Sequence, residues 1–244
     1  MPPTSPPVRR TLLIVGGAED KLGRSVVLRR FVRLAGGRAS RIVVIPTASS
    51  FSTEASALYR SVFARLKAGQ DFEIVHPPTR AAASSAELVA RLDAATGIFM
   101  TGGSQLKLSQ NIVGTPVGDA IHRAYQRGAV IAGTSAGASI MSQFMISLGD
   151  EGVTPRQRSS QLSAGLGLVT GVVVDQHFDQ RGRYGRLLSI VANSPNPVSY
   201  THLRAHETVL DLVCRLLLET KKSHDSIFSQ MLIAKSNRIS VEHR

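Results

Sequence analysis

Only one cysteine, Cys214, occurs among the 244 residues. A lone thiol excludes an internal disulfide framework and any zinc site built from several cysteines. It fits a cytoplasmic location, and neither a metal nor a cofactor is expected. No apolar run lasts more than a few residues, so no membrane span is expected. Met1 to Arg10 is Pro-rich and basic but lacks the apolar centre of a secretion signal. Residues 1–10 are therefore expected as a disordered tip. The net charge is +12, yet no Lys/Arg block of five or more exists, and the aromatics, 5% of the chain, do not interleave with basic residues. A nucleic-acid partner is not expected from that dispersed pattern; a basic solvated surface is, and it would attract a substrate carrying carboxylates.

What is present is a patterned chain of ordinary globular composition, 43% hydrophobic and 19% charged, long enough for one sizeable core. Five short apolar runs read as strands: 11–15, 41–45, 72–75, 97–100 and 129–132. Helical spacing separates them at 24–34, 52–66, 85–92 and 117–127. Near-continuous Val/Ile runs fit strands covered on both faces. The alternation predicts an α/β fold with a doubly wound, mostly parallel sheet. A sixth run, Val172 to Val174, ends in Asp175-Gln176-His177. Gly16-Gly17 lacks the Gly-x-Gly-x-x-Gly spacing of a dinucleotide fold.

The most informative motif is Gly133-Thr134-Ser135-Ala136-Gly137, between the fifth apolar run and a helix-compatible Ala138 to Met141. Strand, Gly-x-Ser-x-Gly turn, helix is the context of a nucleophile elbow. Ligands in such sheets bind beyond the carboxyl ends of the strands. Gly16-Gly17, Thr101-Gly102-Gly103, the elbow and Asp175-Gln176-His177 all follow strands, so they are expected on one rim.

A nucleophilic Ser135 needs a base. His76 precedes two prolines and reads as a turn residue. His122 lies beside the apolar face of a helix. Elimination leaves His177. The oxyanion would meet the N–H of Ala136, with a second donor from Gly102 or Gly103. Gln105 and Gln176 are candidate polar contacts, and Arg181, Arg183 and Arg186 offer forks for a carboxylate. The acid that orients His177 stays open among Asp150, Glu151, Asp175 and Asp179.

Three stretches together resemble the cyanophycinases: Thr101-Gly102-Gly103-Ser104-Gln105, Gly133 to Ala138, and Asp175-Gln176-His177-Phe178 with Arg181-Gly182-Arg183. Leu13 to Asp20 and Val44 to Ser49 fit the same pattern, and the resemblance runs over about residues 11–196. It implies a serine-type exopeptidase related to aspartyl dipeptidase, with a glutamine-amidotransferase-like sheet, commonly a homodimer. Such enzymes release β-aspartyl-arginine dipeptides from cyanophycin. The resemblance makes Ser135 the nucleophile, His177 the base and Glu151 the acid. It maps Gln105, Asp175, Gln176, Arg181, Arg183 and Arg186 onto substrate-binding positions. A dipeptidase for aspartyl or isoaspartyl dipeptides, or a non-catalytic amidotransferase-like module, are the rival readings.

The chain changes character after Pro197. Ser199 to Thr208 back-translates to the end of a common transposase-based sequencing adapter, and Asp211 to Leu218 to the flow-cell end of that adapter. Residues 198–244 are therefore expected to be a non-native tail, and 11–197 an incomplete peptidase domain.

Overall fold

The computed structural model describes residues 8–156, 160–178, 181–193, 199–202 and 214–216. Residues 1–7 of the expected tip, Asp179, and most of 198–244 lie outside them. Residues 8–10 have no regular secondary structure, and the Arg10 guanidinium donates to Gln126 Oε1 at 2.9 Å, so this end of the tip is tied to the domain.

Parallel strands β1 (Thr11–Val15), β2 (Ile42–Ile45), β3 (Phe72–Ile74), β4 (Gly97–Met100) and β5 (Val130–Thr134) build the central sheet. The antiparallel strand β10 (Cys214–Leu216) joins its edge, giving the order β10-β1-β5-β4-β2-β3. Alternate residues of each strand serve opposite layers, as a period of two requires. Leu12, Ile14, Val43, Ile45, Ile98, Met100 and Ile131 pack in one core. It is covered by helices α3 (Ala86–Ala94), α4 (Gln105–Ile112) and α5 (Pro116–Gln126). Leu13, Val15, Ile42, Val44, Phe99, Val130 and Ala132 face α1 (Val26–Leu34) and α2 (Ser52–Arg65), with Phe31, Tyr59 and Phe63 clustered on Phe99. Each fully buried aliphatic or Phe side chain contributes roughly 1.5–3 kcal/mol, and both faces are filled with them. That is the physical reason the strands read as continuous apolar runs.

The remaining elements build the ground around the rim. The short helix α6 (Ala136–Ser139) follows β5 directly. An antiparallel hairpin of β6 (Phe144–Gly149) and β7 (Ser160–Ala164) follows. Next comes β8 (Val172–Asp175), then helix α7 (Tyr184–Asn193). The sixth apolar run is a strand as expected, but it pairs in parallel with β9 (Ser199–His202) rather than with the central sheet. A smaller core of Ile146, Val173, Phe178, Leu187 and Ile190 joins hairpin, β8 and α7. Two strands, β9 and β10, thus come from the segment expected to be non-native.

Candidate active site

Sharp backbone geometry at the end of β5 sets the position of Ser135. The residue has φ 52° and ψ −111°, outside the regions that L side chains favour. The turn holds because glycine flanks it. A Cβ on Gly137 would run into the main chain of Met100 on β4, so only glycine lets α6 press this close to the sheet. The Ser135 N–H donates to Val15 O at 3.0 Å, tying the turn to the end of β1.

His177 comes from the loop after β8 and is also in the left-handed region, φ 50°. Its N–H donates to Gly16 O at 3.2 Å. Successive carbonyls at the end of β1 therefore anchor the two residues. Their side chains meet: His177 Nε2 lies 3.0 Å from Ser135 Oγ. Burial holds the imidazole below its ordinary pKa, and the guanidiniums of Arg181 and then Arg183 push in the same direction; Glu19 and Asp175 oppose them. A neutral imidazole beside a hydroxyl is a competent proton acceptor near pH 7.

The Thr101-Gly102-Gly103 turn sits alongside. A Cβ on Gly102 would lie 3.2 Å from Ser135 Cβ, whereas Gly103, at φ 139°, packs against the carbonyl of Ala48. Ala136 opens α6, so its N–H is among the helix's unpaired first-turn amides.

The candidate polar contacts form one connected band. Gln105, at the start of α4 behind the Ser104 cap, donates to Ile146 O at 2.6 Å. Gln176 Nε2 donates to Gln105 Oε1 at 3.1 Å. Arg183 Nη1 donates to both Gln176 O and Gln176 Oε1 at 2.8 Å. Its Nη2 lies 3.6 Å from Glu151 Oε1, which also accepts from Arg181 at 3.2 Å. Asp175 and Arg186 are buried and form a two-pronged ion pair, one bond at 2.9 Å. That pair is mutually satisfied and acts as an internal brace. Arg183 differs: its Nε is buried without a partner among the described residues, and burial followed by repulsion from Arg186 pushes its pKa down to about 10.

Glu151, the acid expected to orient His177, has a half-exposed carboxylate that pairs with the guanidiniums of Arg181 and Arg183. Asp150 is exposed. His76 bonds Thr47 Oγ1 at 3.1 Å, and His122 sits on α5. Among the described residues, no three His, Cys, Asp or Glu side chains gather as a metal cluster, and no helix is long and apolar enough to cross a membrane.

Residues 12–210 match Peptidase family S51. The chain belongs to that family. It is 39% identical over 189 residues to the cyanophycinase of Nostoc sp. (strain PCC 7120 / SAG 25.82 / UTEX 2576), covering 77% of this chain and 63% of that one. It is 37% identical over 189 residues to the cyanophycinase of Geminocystis herdmanii (strain PCC 6308), covering 77% and 69%. The chain thus spans a little under two thirds of the Nostoc relative's length. In fold it is similar to a peptidase from an acI-B1 Actinobacterium, with TM-score 0.62, 23% identity and 80% of each chain covered. It is also similar to a putative peptidase E protein from Listeria monocytogenes EGD-e, with TM-score 0.50, 18% identity and 81% and 90% covered. At those identities the likeness speaks to the fold.

Sequence reasoning passed over one group in this S51 site. Glu19 follows Gly16-Gly17-Ala18 on the same rim, and its side chain is 1% exposed. It accepts short hydrogen bonds from Tyr59 and from Thr134, the residue before Ser135, and pairs with Lys21 Nζ at 2.8 Å. The available signal was its position two residues past a strand-end Gly-Gly turn. An acidic residue in a loop otherwise reads as solvated.

Proposed function

We propose that this S51 chain is a serine-type peptidase that hydrolyses cyanophycin to β-aspartyl-arginine dipeptides. The observation that carries the reading is the 3.0 Å contact of Ser135 Oγ with His177 Nε2 at the carboxyl ends of the sheet strands. With its proton on Nδ1, the imidazole accepts the Ser135 hydroxyl proton at Nε2 while Oγ attacks the scissile carbonyl carbon. The turn at Ser135 is then a nucleophile elbow. The tetrahedral oxyanion would rest against the Ala136 N–H and an amide of the Gly102-Gly103 turn; one such donor is typically worth about 2.7–4 kcal/mol of barrier. His177 returns the proton to the leaving amine, and water, deprotonated by the same imidazole, releases the acyl group.

Specificity follows from charge. Arg181, Arg183 and Arg186 carry three positive charges against two on Asp175 and Glu151, and Asp175 already neutralises Arg186. Arg183, desolvated and with an unpartnered Nε, is the fork best suited to an aspartyl carboxylate. The adjoining Gln105 and Gln176 amides suit the polar aspartyl-arginine unit. Homodimerisation belongs to the same reading through the family resemblance, and a cytoplasmic location through the single cysteine; sedimentation of the purified protein tests the first.

The test is dipeptide release from cyanophycin by the purified native protein, with Ser135→Ala as control and free isoaspartyl dipeptides as competing substrates. Polymer cleavage lost in the variant is expected. Undiminished release by the variant excludes the mechanism, and cleavage of dipeptides alone replaces the substrate.

A further inference from the structure

Five consecutive residues, from the last of β1 to Glu19, reach both halves of the site. Val15 O accepts from Ser135 N–H, and Gly16 O accepts from His177 N–H. Gly17 packs against the imidazole; a Cβ there would collide with the ring. Ala18 sits at φ 50°, a strained value for a residue with a side chain, and this kink turns Glu19 inward. Glu19 then reaches across to β5, where Thr134 donates to Oε2 and Tyr59 of α2 donates to Oε1. Thr134 and Val15 are register partners in neighbouring strands, so the carboxylate closes a ring that starts and ends at the β1–β5 ladder.

A buried carboxylate is costly to desolvate, and packing alone would be served as well by an apolar side chain of similar volume. We propose that Glu19 is a positioning residue for the Ser135–His177 pair, holding the 15–19 turn against the elbow through Thr134 and placing a negative charge where the imidazolium forms. It touches neither reacting atom. The inference rests on the serine-peptidase reading above. The charged groups that bear on His177 are Arg181 and Arg183, which oppose its protonation, and Glu19 and Asp175, which favour it. Lys21 and Tyr59 face Glu19 itself, and burial first, then Glu19's charge, pushes the Tyr59 hydroxyl far above its ordinary pKa. Tyr59 is therefore a fixed donor to the carboxylate.

The test follows the rate at which a fluorophosphonate probe labels Ser135 across pH, in full-length wild type, Ser135→Ala, Glu19→Gln and Thr134→Val. This readout needs no knowledge of the substrate. Glu19→Gln is expected to label about ten- to a hundredfold more slowly, with the midpoint of its acid limb moved to lower pH. Thr134→Val, which keeps the charge but cuts the link to the elbow, is expected to label slowly with its midpoint unmoved. A merely structural residue would shift thermal stability and leave the midpoint in place. Labelling by Glu19→Gln within about twofold of wild type at an unchanged midpoint overturns the role. If that variant does not fold, wild-type labelling of Thr134→Val does so. Failure of the wild type to label at all sinks the serine-peptidase reading, and the role of Glu19 with it.

Discussion

Gly17 packs so closely against Cε1 and Nε2 of the His177 imidazole that there is no room for even a methyl group between them. The relationship explains why the turn after β1 belongs to the site although it supplies no reacting group. The ring packs against bare backbone at Gly17 and meets Ser135 Oγ through Nε2. Its orientation is set by contact with main chain, which moves less than a side chain would.

Gly17→Ala should therefore be severe. The new Cβ must displace the ring, and φ 124° is itself unfavourable for alanine. A displaced base typically costs about a hundredfold in turnover. We expect kcat to fall by that order with KM little changed, because the polar band that would hold substrate is built on other elements. A purified, folded Gly17→Ala protein with wild-type kcat would show that the ring is not positioned by this contact.

The pH profile follows from the sign of the His177 shift. The base works when neutral, and burial, Arg181 and Arg183 hold its pKa below 6.5. Activity should thus persist below pH 6.5 and decline only as the imidazole takes a proton. Arg181 is half exposed, so its influence is screened. Arg181→Gln should move the acid limb upward by about a few tenths of a pH unit. Phosphonylation rates measured against pH check this, and a downward shift would contradict the electrostatic account.

The inner central strands were legible because they are covered on both faces, so 11–15 and 97–100 coincide with β1 and β4. Ser135 was legible as a strand-end residue, whereas β8 lies outside the central sheet and His177 reaches the rim through the bond of its N–H to Gly16 O. Other features were hidden. Residues of β7 are mostly exposed, and Ser160-Gln161-Leu162-Ser163-Ala164 carries no apolar run. Helix α4, Gln105–Ile112, is announced by its Ser104 cap rather than by apolar spacing. Val172 to Val174 disclosed a strand but not its partner, since an apolar run does not specify which ladder it joins. Glu151 illustrates the limit of linear proximity: its position after the elbow does not reveal that its carboxylate pairs with Arg181 and Arg183.

Asp175 and Arg186 make a contrasting case for stability. Their side chains are 1% and 3% exposed, and each satisfies the other. Breaking such a pair leaves an unpaired buried charge, typically at a cost of about 3–5 kcal/mol. Arg186→Met should lie near the lower bound, because Arg183 Nη1 stands 3.9 Å from Asp175 Oδ1 and can partly replace the lost partner. Urea denaturation measures this. A loss below about 1 kcal/mol, the range of an exposed pair, would mean the brace is dispensable.

Glu151→Gln separates the two roles that an acid could hold here. As the partner of a catalytic histidine its loss would cost orders of magnitude in labelling of Ser135. As a carboxylate facing Arg181 and Arg183 it competes with an acidic substrate for those guanidiniums. We expect the labelling rate and its pH midpoint to match wild type. KM for aspartyl-containing peptides should fall, by no more than about fivefold, since an exposed ion pair is worth at most about 1 kcal/mol. A collapse of Ser135 labelling in this variant would assign Glu151 as the acid of the site.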